Sequence, residues 1–218
     1  MQTVRIPALN QEFPIGKIIC LARNYAEHAR ELGNETPAAP VLFMKPASSV
    51  IGDGDTVRIP PYSQECHYEV ELAVLIGKRC RAASPETALE FVAGYGVGID
   101  MTLRDVQNQL KAKGLPWEIA KGFDTSCPLS DFVPASTVAD PHELNLKLAV
   151  NGEERQNGSS SDMINRLPRI IAHISAIFTL EPGDVILTGT PAGVGRVGAG
   201  DVMMAEISSV GRLTIPVG

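Results

Sequence analysis

The stretch HYEVELAVLIGK, residues 67–78, constrains the fold of this chain more than any other. It reads as a strand, and side chains on a strand alternate faces. Tyr68, Val70, Leu72 and Val74 therefore share one side, while His67, Glu69 and Glu71 share the other. An edge strand with its polar face in water would accommodate that pattern, because charged residues are mostly exposed. Beyond Glu71, however, the loaded face turns apolar at Ala73 and Leu75, as in a strand that runs into a core on both sides. Two carboxylates at the mouth of such a strand would sit in low dielectric beside each other. Each disfavours the other's charge unless a metal or an arginine compensates.

Strand signals recur along the chain: KIICLA (17–22), VLFMK (41–45), YGVGI (95–99), LKLAV (146–150), DVILTGT (184–190) and DVMMAEI (201–207). Asn151-Gly152 after LKLAV predicts a tight hairpin, since both residues tolerate the positive φ of a type I′ turn. Helices are fewer. SPETALEFVAG predicts a short helix from Ser84 to Gly94, with Ser84 as N-cap and Gly94 as the stop. TLRDVQNQLKAKG predicts another, opened by a Thr102-x-x-Asp105 capping pattern and ended at Gly114. LPRIIAHISAIF places Leu167, Ile170, Ile171, Ile174, Ile177 and Phe178 at helical spacing, so one face must be buried, and His173 reads as a packing or surface residue. Strands do not alternate regularly with long helices, which argues against a doubly wound parallel sheet and for a β-rich α+β fold.

At 218 residues without an internal linker the chain reads as a single catalytic domain, 1–218, in which residues 1–16 are a short N-terminal extension. A net charge of −6 with scattered basic residues argues against nucleic acid as a partner. No run approaches the roughly 18 apolar residues of a membrane span, and no apolar h-region follows Met1. Cys20, Cys66, Cys80 and Cys127 form no CxxC pair and lie beside strand-like segments, so free buried thiols in a reducing cytoplasm are expected.

Gly193, Gly195 and Gly198 make a literal G-x-G-x-x-G after a strand. A dinucleotide site needs a helix to open there, whereas another strand follows, so the segment reads as a loop. Its neighbours Thr188 and Thr190 end a strand beside backbone amides that could meet an anion. A third carboxylate, Asp100, lies between the strand YGVGI and the helix that follows. Glu-x-Glu with a distant Asp offers hard oxygen ligands of the kind Mg²⁺ or Mn²⁺ accept. Zinc would more often take His or Cys, and His67 reads as a supporting residue.

Taken together, ICLARNYAEHARELG, PVLFMKP, HYEVELAVLIGK, GYGVGIDMTLRDVQ, KGLPWEIAKGFDTSCPLS and GDVILTGTPAGVG resemble the fumarylacetoacetate hydrolase family, in particular its short acylpyruvase branch, from about residue 17 to the C-terminus. The resemblance implies a mixed β-sandwich roll with flanking helices, usually a homodimer, and Mg²⁺ or Mn²⁺ held by Glu69, Glu71 and Asp100. It also implies a water-activating pair, His28 and Glu31, which by spacing alone would pass for a solvated helix face. Lys121 and Lys45 match lysines near the family's site, Lys45 as an expected substrate contact, and Arg23, Arg104, Gln107 and Thr190 match substrate-contacting or supporting positions.

The chemistry so implied begins with a small 2-oxo acid chelating the metal, with Lys121 adding positive charge. For a 2,4-dioxo acid, His28 assisted by Glu31 would activate water for attack at C4, and the C3–C4 bond would break to release pyruvate enolate. The same enolate arises when oxaloacetate loses CO₂, and a related enol when oxaloacetate tautomerises. Because the His28–Glu31 pair is present, hydrolysis of acylpyruvates is ranked first, ahead of oxaloacetate decarboxylase, oxaloacetate tautomerase and fumarylpyruvate hydrolase. A non-catalytic protein with a structural Ca²⁺ is the reading from another class.

Overall fold

The computed structural model describes residues 2–33 and 35–218. Met1, at the start of the expected N-terminal extension, and Asn34 lie outside the described residues. The expected strand at 67–78 is there, broken at Glu69 into Cys66–Tyr68 and Val70–Ile76. Val70–Ile76 is central, not an edge. It pairs antiparallel with Val92–Ile99 on one side and with Val185–Leu187 on the other, inside a mixed sheet of six strands. The sheet continues from Val185–Leu187 to Ile18–Ala22 in parallel and on to Val41–Lys45, while Val133–Pro134 closes the far edge.

Both faces of Val70–Ile76 are covered, so its period-two alternation divides the strand between two cores. Val70, Leu72, Val74 and Ile76 join the larger core, and Ala73 and Leu75 join the smaller. The larger core is closed by helix and by a four-stranded antiparallel sheet, Glu153–Ser159, Asn145–Val150, Val202–Ile207 and Gly211–Pro216. In that sheet the hairpin at Asn151-Gly152 has φ of 53° and 84°, as a type I′ turn requires. The smaller core lies under residues 3–14, which fold as a hairpin of Thr3–Ile6 and Gln11–Pro14 and bury Val4 and Ile6.

Helices α1 (Ala26–Glu31), α2 (Arg104–Ala112), α3 (Glu118–Lys121) and α4 (Leu167–Ile177) flank the strands. The β-rich α+β architecture is thus as expected, but three local expectations are not met. Residues 84–94 make only a 3₁₀ turn, Ala88–Phe91, before Val92 enters the sheet; Gly94 lies within that strand, where a Cβ would stand 2.4 Å from the Val133 carbonyl oxygen. Pairing with Val70–Ile76 outweighs the local helical propensity. Thr102 and Leu103 are strand, so α2 starts at Arg104, and Asp105 accepts from Ser63 Oγ (2.6 Å) and Gln64 N (2.8 Å) in place of a capping box. In α4, Leu167, Ile170, Ile171 and Ile174 are buried as the spacing demands, but Ile177 in the last turn is exposed.

Candidate active site

The break at Glu69 is where the six-stranded sheet hands over to a small sheet of Gly195–Val197, Cys66–Tyr68 and Thr102–Leu103. Glu71 follows on Val70–Ile76, and Asp100 directly follows Val92–Ile99. The register that sets Val70 opposite Ile99 brings Asp100 to Glu69, whose carbonyl oxygen accepts from Asp100 N at 2.8 Å. One oxygen from each carboxylate falls within 4.8 Å of the others, and all three side chains are buried.

Such a cluster needs cations, and buried ones surround it. Lys121 Nζ, at the end of α3, donates to Glu69 Oε2 (2.9 Å), Asp100 Oδ2 (2.5 Å) and Thr102 Oγ1 (2.6 Å). Arg104, the first residue of α2, pairs with Glu69 Oε1 and donates to Gln107 Oε1 at 2.7 Å. Burial alone would push the Glu69 carboxyl up, but Lys121, Arg104 and His28 outweigh it and hold it well below the usual range. Glu71 goes the other way. Burial and the charges of Asp100 and Glu69 push it up, against a hydrogen bond of 2.6 Å from Gly189 N. Gly189 can supply that N–H only at φ 92°, with a Cβ position 2.8 Å from Asn24 Cβ, so no other residue fits.

Lys45 is fully buried beneath the cluster. Its ammonium donates to the backbone carbonyls of Met101 (3.2 Å), Ser126 (2.9 Å) and Lys121. Asp100 Oδ1 lies 2.8 Å from Lys45 Nζ without forming a hydrogen bond, which leaves a buried acceptor oxygen with no donor. That oxygen, the raised Glu71 carboxyl and an all-oxygen donor set fit a hard divalent cation of the Mg²⁺ or Mn²⁺ kind.

Glu69 and Glu71 open into a pocket that is also lined by His28, Arg23, Gln107 and Thr190. His28, buried on α1, has Nδ1 3.3 Å from Glu31 Oε2. A carboxylate only accepts, so Nδ1 carries a proton toward Glu31. Glu31 is held in turn by Gly193 N at 3.1 Å, in the glycine loop. The loop's amides therefore bind the protein's own carboxylates. Of the residues expected at the site, Lys45 alone among the substrate-contacting candidates is absent from the pocket wall.

Several contributors carry no sequence signal. Gln156, fully buried, receives Val70 N at 2.9 Å and donates to Thr190 Oγ1 (2.8 Å) and Pro191 O (2.9 Å), fixing the Thr190 wall. Asn24 anchors the start of α1 through Thr188 O (2.8 Å), Asn165 O (3.1 Å) and Asn165 N (2.8 Å). Phe43 and Trp117, their ring centroids 6.0 Å apart, form an aromatic wall, with Lys121 Nζ 4.9 Å from the Phe43 centroid. His67, half-buried, is held below its usual pKa by burial and by Arg104.

The sequence matches the family model described as fumarylacetoacetate (FAA) hydrolase C-terminal over residues 17–218. It is 52% identical over 193 residues to the mitochondrial oxaloacetate tautomerase FAHD1 of Bos taurus, covering 88% of this chain and 87% of that protein. It is 49% identical over 191 residues to the oxaloacetate tautomerase YcgM of Escherichia coli K12, covering 87% of each. Among solved structures, the fumarylpyruvate hydrolase of Pseudomonas aeruginosa in complex with Mn²⁺ and pyruvate aligns with a TM-score of 0.94 at 39% identity, over 99% of this chain and 95% of that one.

Proposed function

The chain belongs to the fumarylacetoacetate hydrolase family, and from that premise we propose that it is a divalent-metal enzyme that converts small 2-oxo acids through their C3 enolate, with keto–enol tautomerisation of oxaloacetate as its principal reaction. The observation that carries the reading is a pocket lined by Glu69 and Glu71 of the buried three-carboxylate cluster and by His28, whose Nδ1 is paired with Glu31. Relatives near 50% identity named as oxaloacetate tautomerases support our choice of tautomerisation as the principal reaction.

Glu69, Glu71 and Asp100 would hold the divalent cation, which when bound would supply Lewis-acid charge that favours loss of a proton from C3 of a 2-oxo acid. His28 Nε2, with its tautomer set by Glu31, takes a proton from C3 in the keto form and returns one in the reverse direction, while the oxygen on C2 gains or loses its own. Only C–H and O–H bonds change. Lys121, whose three protons are engaged, contributes positive charge through Glu69 and Asp100. Arg104 keeps one buried donor, Nε, without an acceptor, and with Gln107, Arg23 and Thr190 it orients the substrate's oxygens. Lys45 acts from behind, by fixing Asp100. Phe43 and Trp117 keep water from one side of the enolate.

Acylpyruvate hydrolysis, ranked first on the sequence alone, fits the family and uses the same groups. His28 would then activate water for attack at C4, and the fumarylpyruvate hydrolase neighbour favours that second reaction. Oxaloacetate decarboxylation needs only the enolate-stabilising half. In this proposal the protein works as a homodimer, as its family resemblance implies, and in the cytoplasm, where its four buried thiols stay reduced. No helix among the described residues is long and apolar enough to cross a membrane. The test is a time course by NMR and ultraviolet absorbance on the Mg²⁺-loaded protein with enol-oxaloacetate and with acetylpyruvate. Ketonisation well above the buffer rate supports the assignment. Cleavage of acetylpyruvate without ketonisation would move hydrolysis back to first place.

A further inference from the structure

Helix α2 turns one stripe toward the pocket: Arg104, Gln107 and Lys111, spaced three and four apart, all line it. The stripe is graded in depth. Arg104 is buried and tied to Glu69, Gln107 is buried beside it, and Lys111 lies at the exposed end, roughly 10 Å further along the axis at 1.5 Å per residue. The carboxylate cluster draws its ion pairs from Lys45, Arg104 and Lys121. Arg23, just past the end of strand Ile18–Ala22 and at a left-handed φ of 59°, lines the same pocket. Partial burial, together with the Arg23 and Arg104 guanidiniums, pushes the Lys111 ammonium below its usual range, so three cations act on one another here.

We propose that Lys111, together with Arg23, receives the far carboxylate of a dicarboxylic 2-oxo acid and so sets the preference of the site for such substrates over acylpyruvates with an apolar tail. This rests on the 2-oxo acid chemistry proposed above and names the part of the pocket that selects among its substrates. The head of the molecule is read at the carboxylate cluster, and an anion between converging cations relieves their repulsion. Lysine suits the task because its four-carbon stem adapts to more than one substrate length, unlike a rigid bidentate arginine.

Two measurements separate this proposal from the reading it rests on. Binding of 2-oxoglutarate and of 2-oxopentanoate, which share a chain length and differ in the far carboxylate, is measured by calorimetry on the Mg²⁺-loaded protein and on Lys111→Gln, Lys111→Glu and Lys111→Arg. Lys111→Gln should weaken 2-oxoglutarate about ten-fold more than 2-oxopentanoate, the scale of a lost charge-assisted hydrogen bond. Lys111→Glu should widen the gap and Lys111→Arg should close most of it. Equal weakening of both ligands in Lys111→Gln would overturn the proposal. In turnover, the same variant should raise KM for oxaloacetate more than for acetylpyruvate, with kcat moving less than KM. A wild-type protein that turns over neither substrate, yet shows the differential binding, would remove the enzymatic reading and leave the subsite standing.

Discussion

The carboxylate cluster and helix α1 serve one pocket but are held in different ways. Glu69, Glu71 and Asp100 ride on or beside the paired strands Val70–Ile76 and Val92–Ile99 and are almost dry; Glu69 and Asp100 are cross-held by Lys45, Lys121 and Arg104, and Glu71 accepts from Gly189 N. The buried cations thus offset Glu69 and Asp100 before any divalent ion arrives, whereas Glu71 has no cationic partner and is pushed up by its neighbours' charge. Helix α1 has only six residues, too short to be stable on its own, and is tied by Asn24 at one end and by the Glu31 contact to Gly193 at the other. Fold and chemistry are therefore coupled at the cluster and separable at the helix. Charges that would repel are fixed where strands leave no choice of position, while His28 sits on an element that can yield without unfolding the core.

The largest effect tests the carboxylate cluster. Removing divalent cations with a chelator should abolish activity, and Mg²⁺ or Mn²⁺ should restore it in wild type but not in Glu71→Ala. Circular dichroism and the unfolding midpoint should show the metal-free protein still folded, because protein cations already offset Glu69 and Asp100 and a raised Glu71 can take up a proton. Full turnover in excess chelator would sink the metal assignment, and unfolding in chelator would make the site a structural cage. Next comes the helix. His28→Ala should lower turnover of oxaloacetate and acylpyruvates by about two to four orders of magnitude, the usual contribution of a positioned acid or base, with little change in Tm. Oxaloacetate decarboxylation should fall less. A parallel collapse of stability would erase the distinction between the two regions.

Lys45→Met reverses that signature. The substitution removes the partner of Asp100 and the donor to three backbone carbonyls, all in the interior. A cost of about 3–5 kcal/mol in denaturant unfolding is expected, the range for breaking a buried ion pair. Activity should fall as a consequence of a displaced Asp100. A variant as stable as wild type would show that the buried ammonium has no structural part.

Glu69, Glu71 and Asp100 were legible because carboxylates inside an apolar strand pattern are conspicuous, and the strands around them because their alternation and turn residues are local. Asp100 needed only its place at a strand end. What the sequence conceals is set by distant pairing. Gln156 sits in EERQNGS, whose pattern is that of an exposed hairpin strand, and it is buried only because Pro191 and Thr190 close over it. Residues 84–94 have good helix signals and yield to a sheet neighbour that no local window contains. Lys45, read as a substrate contact, lies behind the wall, since a lysine at the end of an apolar strand looks the same from the sequence whether it points to a ligand or to the carbonyls beneath it.

The smallest effect reaches the helix region through its anchor. His142 Nε2 accepts from Leu167 N, the first N–H of α4, at 3.1 Å, so its Nδ1 carries the proton toward Asp140 Oδ1 at 3.2 Å. One residue before Arg166, at the start of α4, Asn165 grips Asn24 at the root of α1. Burial, the largest influence, and Arg166 hold His142 below its usual pKa against the pull of Asp140. The unfolded chain therefore binds a proton at higher pH than the folded one. No stability is lost above the ordinary histidine value of about 6.5, and stability falls as pH drops below it toward the lowered folded value. Protonation would also remove the acceptor that caps α4, a loss on the order of 1 kcal/mol. In His142→Gln, whose side-chain oxygen keeps an acceptor but does not titrate, the decline in unfolding free energy between neutral and mildly acid pH should be shallower than in wild type. Hydrogen exchange in the first turn of α4 and in α1 should lose part of its acid sensitivity in the same variant. Identical slopes for the two proteins would show that the His142 cap does not couple the anchor of α1 to pH.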